Sequence, residues 1–191
     1  MSSVDRTQRA ILDAAISTWA RNPSASLGVI ATAAGVGRTT LHRFHHDRAD
    51  LLAAVDTELQ HLFGAAAARA AIDDGPAMAA LRRLCVEYLA LGEPLRMVFT
   101  DNSPVDPERW TTGEGSHEHL QSLFRRGQAD GDFDEVLDPE WMVLTMWLLL
   151  FGAWAVMDEA DLPRADAADL CMRTLAGAVS AKPADFGFRP V

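Results

Sequence analysis

Strand-like alternation of apolar and polar residues is missing from this chain. That excludes a sheet as the organising element and leaves helical periodicity to explain the fold. Cysteine is scarce. Cys85 and Cys171 are the only two and lie far apart, which excludes a disulfide-stapled scaffold. They read as two small core residues, with a redox-sensing pair as the alternative. The opening residues Met1-Ser2-Ser3-Val4-Asp5-Arg6 lack the apolar run of a signal peptide, so a cytoplasmic location is expected. No GxSxG, phosphate-binding loop or dinucleotide fingerprint occurs, and the corresponding hydrolase, nucleotidase and dehydrogenase classes lose their support. Internal repeats and low-complexity linkers are absent as well.

Two histidine clusters raise the question of metal. His117-Glu118-His119 are spaced so that the two histidines point to different faces of a helix, with no third ligand evident. His42, His45 and His46 with Asp47 lie in a segment better explained below. Neither a metal nor a cofactor is expected, and no convergent polar set suggests an enzyme.

What the chain does contain is apolar helix. Of 191 residues, 49% are hydrophobic and 23% charged, an ordinary balance for a protein with a sizeable core. The net charge of −10 is unevenly spread. Residues 1–50 hold six arginines against four aspartates, net +2. The remainder holds eleven cations against twenty-three carboxylates, net −12. A mildly basic end on an acidic body approaches DNA in only one orientation.

Ile11, Leu12, Ala15, Ile16 and Trp19 make one face of a first helix, with Asp5 as its expected cap and Asn22-Pro23 as its stop. Ser26 opens a short second helix that ends at Gly35, and a third runs from about Arg38 to His45. Asp47 and Asp50 resemble a capping box that opens a long fourth helix. Further helices are expected after Gly75-Pro76, at Glu93-Pro94, after Ser116, after Asp138-Pro139 and from about Arg164. Thr100 to Gly115, rich in Pro, Gly, Asp and Thr, reads as the longest loop.

Residues 26–52 contain two short helices joined at Gly35-Val36-Gly37. Ala31 is small enough for close helix approach, Gly35 permits positive φ, and Ile30, Val36 and Leu41 can fill the angle between the helices. That pattern is a helix-turn-helix, with Arg38, Thr39, Thr40, His42, Arg43 and His45 as candidates for the outward side of its second helix.

The same run resembles the DNA-binding domain of TetR-family repressors. The resemblance rests on Ile30, Ala31, Ala34, Gly35 and Val36, then Arg38, Thr40 and Leu41, then His42-Arg43-Phe44-His45, and finally Asp50-Leu51-Leu52. The chain departs from the pattern at Gly37, where the family usually has Ser, at His42, usually Tyr, and at His45, usually Phe. The resemblance implies an all-α fold: a three-helix DNA-binding domain over 1–48 and an effector-binding and dimerisation domain of five to six helices over 49–191. It implies that Arg38, Thr39 and His42 face the major groove. Thr40, Arg43 and Arg48 would hold phosphates, Ser26 would offer another phosphate site at a helix start, and Gly37 and His45 belong to the same surface. The implied partners are a palindromic operator in double-stranded DNA, a small-molecule effector and a second copy of the chain.

Trp141 to Met157 holds three of the five tryptophans and no charge over 17 residues. Its acidic flanks and length argue against a membrane span. A helix apolar on all sides needs cover on all sides, which a partner chain can supply. Trp141, Leu144, Leu148 and Trp154, with Leu170, Cys171, Leu175 and Ala178 of the last helix, are the expected dimer interface, and the central helix of a monomer is the alternative. Phe63, Tyr88, Phe99, Trp110, His117, Phe124, Trp147 and Phe151 are candidate walls of an effector pocket, with plain core as the competing role for each. This aromatic inventory points to an apolar or aromatic effector.

Overall fold

A computed structural model of the chain describes residues 2–100, 110 and 115–181. The described residues form nine helices: α1 (Ser3–Arg21), α2 (Leu27–Ala33), α3 (Arg38–Phe44), α4 (Arg48–Ala70), α5 (Ala77–Ala90), α6 (Glu93–Val98), α7 (His117–Ala129), α8 (Pro139–Glu159) and α9 (Arg164–Val179). They contain no strand, only an isolated bridge between Phe133 and Ser180. The all-α class read from the sequence is the observed one. The expected loop over 100–115 falls outside the described residues except at Thr100, Trp110 and Gly115.

Local capping chemistry fixes most helix starts. Ser2 accepts from the Asp5 amide while the Asp5 carboxylate accepts from the Ser2 amide, so the cap of α1 is Ser2 and Asp5 is its reciprocal partner. Ser116 caps α7, and Asp138 caps α8 ahead of Pro139.

The chain divides by compactness into two units. Unit 1 combines Met1–Leu62 with Glu93–Arg109, and unit 2 combines Phe63–Gly92 with Trp110–Val191. The cut falls inside α4, well past the boundary at 48/49 drawn from the sequence. The reason is that Leu51, Val55 and Leu59 on the first turns of α4 are fully buried in unit 1, and that α6 packs on α1.

Unit 1 is built on the buried face of α1, whose Ile11, Ala15, Ile16 and Trp19 are buried, as are Ile30 of α2, which packs on α1, and Leu41 of α3, which packs on α2. In unit 2, α8 packs against α7 and α9 while α5 packs against α7, α8 and α9. The C-terminal end of α4 is held by arginines. Arg83 donates to the carbonyls of Ala70 (2.6 Å), Ala71 (2.8 Å) and Asp74 (2.7 Å), and Arg126 donates to that of Ile72 (2.7 Å). These guanidinium groups satisfy carbonyls that a helix end leaves without partners. Gly127 admits Phe133 so closely that a Cβ there would lie 2.2 Å from its ring.

Candidate nucleic-acid interface and ligand site

The turn between α2 and α3 closes by two backbone bonds. The Val36 amide donates to Ala31 (2.9 Å) and the Gly35 amide to Thr32 (3.1 Å), with Gly35 at φ +68°. Leu41 and Ala31 are buried beneath it. The helix α3 therefore buries a single residue, Leu41, and turns the rest of its surface outward.

That outward surface carries Arg38, Thr39, His42 and Arg43, all exposed, and Thr40, partly so. The Arg38 guanidinium lies across Gly28, where a Cβ would come within 2.8 Å of Nη2. Ser26, Leu27, Gly28, Arg38, Leu41 and His42 together line a groove of about 360 Å³. Nδ1 of His42 donates to the His46 carbonyl (3.1 Å). Arg43 sits over the Phe44 ring at 5.5 Å. Ser26 and Gly37 are exposed N-cap residues of α2 and α3, and neither makes a side-chain cap bond. The role of Gly28 went unread in the sequence because only the fold brings it under Arg38.

Two sequence expectations require correction here. His45 is 4% exposed, so its ring faces the interior and is not offered to DNA. Burial lowers its pKa, partly opposed by Asp50, whose carboxylate stands 3.9 Å from Nδ1. At that distance Asp50 attracts without forming a hydrogen bond, and neither ring nitrogen has a hydrogen-bond partner among the described residues. Arg48 is the second correction. Its guanidinium donates to the carbonyls of Ala25 (2.8 Å) and Pro23 (2.5 Å) and lies over Trp19 at 4.5 Å. It ties the start of α4 to the turn before α2, a duty inside unit 1 that leaves it little reach for phosphate.

In unit 2 the structure gathers four of the expected wall residues. Phe63 meets Tyr88 edge-on (5.0 Å between ring centres), Trp110 edge-on (5.4 Å) and Trp147 at a tilt (5.7 Å), while Tyr88 and Trp147 stack (5.4 Å, 16°). Phe63 and Tyr88 are fully buried, and Trp110 and Trp147 are partly exposed. Of the other expected wall residues, Phe99 belongs to unit 1, and Phe124 is core against Phe133 (5.6 Å). His117 pairs with Glu140, and Phe151 is 42% exposed beside Trp154. His119 turns away from His117, accepting from the Gly115 amide (3.1 Å) and pairing with Asp73 (3.1 Å).

The surface of α8 is asymmetric. Met142, Val143, Met146, Leu150 and Ala153 are buried, whereas Trp141, Leu144, Leu148, Phe151 and Val156 are exposed along the opposite side. On α9, Leu170 and Ala178 are exposed. Cys171 (4%) and Leu175 (0%) are not surface residues, contrary to expectation. They lie on the inner stripe of α9 with Ala167 and Val179. Cys171 there meets Cys85 of α5, and the contact between the thiols, followed by burial, raises the pKa of Cys85.

A helix-turn-helix with an open reading surface, joined to an aromatic-lined helical body, defines the class of helical one-component regulators. Comparison with known proteins gives the family. The HTH-type transcriptional repressor LfrR of Mycolicibacterium smegmatis is 34% identical over 180 residues, spanning 94% of this chain and 93% of LfrR. The HTH-type transcriptional regulator NfxB of Pseudomonas aeruginosa is 30% identical over 140 residues, spanning 70% and 72%. The crystal structure of the TetR-like regulator LfrR in complex with proflavine matches with a TM-score of 0.73 over 93% of this chain and 99% of that one. A TetR family regulator from Marinobacter aquaeolei, 20% identical, shares the fold over 93% and 97% (TM-score 0.76). No protein-family profile matches the chain. The chain belongs to the TetR family, and its function is ligand-responsive regulation of transcription through DNA.

Proposed function

We propose that this chain is a repressor that holds a palindromic operator as a homodimer and leaves it when a planar aromatic molecule enters unit 2. The observation that carries this reading is the surface of α3, where Arg38, Thr39, His42 and Arg43 stand exposed over a closed core. An arginine so placed can donate two bonds to one guanine, a contact worth about 1–3 kcal/mol of discrimination. Thr40 and Arg43 are assigned to phosphates, with Ser26 and Gly37 flanking them. Residues 1–48 act as the DNA-binding domain and 49–191 as the effector-binding and dimerisation domain. The protein works in the cytoplasm, where its DNA is, and regulates without catalysing.

The apolar strip of α8, Trp141, Leu144, Leu148, Phe151 and Val156, with Leu170 and Ala178 of α9, supplies the dimer surface. Contiguous exposed apolar residues of this kind mark interaction sites, and a two-fold axis lets one patch meet its copy. The effector is assigned to the cluster of Phe63, Tyr88, Trp110 and Trp147. Its aromatic character suits a planar ring system, and LfrR has been crystallised with proflavine, a planar three-ring amine. Ligand then shifts the population toward a form whose two reading heads no longer match grooves about 34–36 Å apart.

The test is a fluorescence-polarisation titration of the full chain against duplex from its own promoter region, at two salt concentrations. Preference for that duplex over scrambled DNA, weakening steeply with salt, is the expected result. Arg38→Ala removes the preference and leaves the dimer intact. Equal, weak binding to both duplexes would overturn the repressor in favour of a helical sensor that does not read DNA. A variant that falls apart as a dimer would overturn the division of labour.

A further inference from the structure

Tyr88 is the only tyrosine of the chain. Its ring is fully buried between Phe63 and Trp147, and its hydroxyl has no hydrogen-bond partner among the described residues. Such groups are rare in folded proteins, because a phenol moved out of water loses hydrogen bonds that nothing inside replaces. A phenylalanine would fill the same space without that loss. Burial also holds the hydroxyl pKa well above the usual tyrosine range, so the group remains a neutral donor. Beside the oxygen stands Gly115, at φ +69°, where a Cβ would come within 3.1 Å of it. The same Cβ would crowd Ala67 and the Phe63 carbonyl, each at 3.1 Å, so only glycine fits against the hydroxyl there. The neighbouring rings of Trp110 and Trp147 are partly exposed, so the cluster is reachable from its outer edge.

We infer that Tyr88 is the polar anchor of the effector site: its hydroxyl donates to an acceptor atom, a ring nitrogen or carbonyl oxygen, on a planar aromatic ligand held against Phe63, Trp110 and Trp147. This rests on the assignment of the effector to that ring cluster. The rings alone accept flat apolar molecules of any kind. The anchor restricts the response to those that bring an acceptor to the buried oxygen, since specificity is a difference between affinities.

Quinoline and naphthalene are fused two-ring probes of the same size that differ by one ring nitrogen, and at pH 7.5 both are neutral. Equilibrium dialysis of the full-length protein and of Tyr88→Phe measures all four affinities. The expected result is that Tyr88→Phe weakens quinoline roughly five-fold, as loss of one neutral hydrogen bond does, and leaves naphthalene within two-fold. The single tyrosine gives a second readout that needs no variant. With tyrosine labelled at the carbon bearing the hydroxyl, one carbon-13 resonance reports that group, and quinoline shifts it further than naphthalene does. If both probes bind but the variant treats them alike and the resonance responds to them equally, Tyr88 is a core residue and the anchor is wrong. If neither probe binds either protein and the resonance stays still, the assignment of the effector to this cluster fails as well.

Discussion

His45→Phe is expected to make the protein more stable, and more so in acid. In the folded chain the imidazole is 4% exposed, neither nitrogen has a hydrogen bond among the described residues, and Asp50 stands 3.9 Å from Nδ1. A buried polar group left unsatisfied costs about 1–3 kcal/mol, which a phenyl ring recovers. The extra ring atom opposes part of that gain, because overfilling a packed core also costs energy. A net gain of about 1 kcal/mol remains, which for a chain of this size raises the melting temperature by roughly 2–4 °C.

The pH dependence follows from the direction of the His45 shift. Burial lowers its folded-state pKa below the ordinary value of about 6.5, so the unfolded chain takes up the proton first. Stability is undiminished above about pH 6.5 and falls as the pH drops below it towards the folded-state value. His45→Phe lacks this loss. The other histidines of the region, His42 and His46, are exposed and common to both proteins, so the difference between the two isolates His45. Thermal melts at pH 8 and pH 5.5, followed by circular dichroism, measure both effects. A variant that melts below the wild type at pH 8, or a gap that stays constant on acidification, refutes the reasoning: the imidazole would then be bonded or already charged. Operator affinity should be unchanged, since His45 does not face DNA.

Arg48→Met removes two bonds to the carbonyls of Pro23 and Ala25 and a contact over Trp19. It should destabilise the protein by about 1–3 kcal/mol while leaving the salt slope of DNA binding unchanged. A slope lower by about one unit would instead make Arg48 a phosphate contact. Leu148→Glu places a charge in the middle of the exposed strip of α8, where the native residue is 59% exposed. Light scattering after size-exclusion chromatography should then show a monomer with native circular dichroism, and a persisting dimer would move the interface elsewhere.

What the sequence disclosed and what it hid follow one physical division. Helix starts and the reading turn were legible because their chemistry is local: Ser116, Asp138 and Gly35 each act within a few residues of themselves. The start of α1 is the exception: Asp5, expected as the cap, is the reciprocal partner of the actual cap Ser2 three residues earlier. The duties of Arg48 and His45 were hidden, because they depend on backbone from 23 to 25 residues away and on which side of α3 the core closes. A family pattern gives the position of such residues but not the consequence of a changed side chain. At His45 a nitrogen-bearing ring occupies the place of an apolar one and carries its polarity into the core.

The two last helices separate for a related reason. On α9 the residues Ala167, Cys171, Leu175 and Val179 repeat at helical spacing, and two of them, Cys171 and Leu175, were expected at a partner chain. A regular stripe is the mark of a helix lying on its own core, and it is buried there. The uniform α8, which has no stripe to read, is the one that keeps an apolar face exposed. Absence of periodicity on a long apolar helix is therefore the more useful signal for an interface. One face is buried against the chain's own core, and the exposed apolar surface, Trp141 through Val156, is the one proposed to meet a second copy.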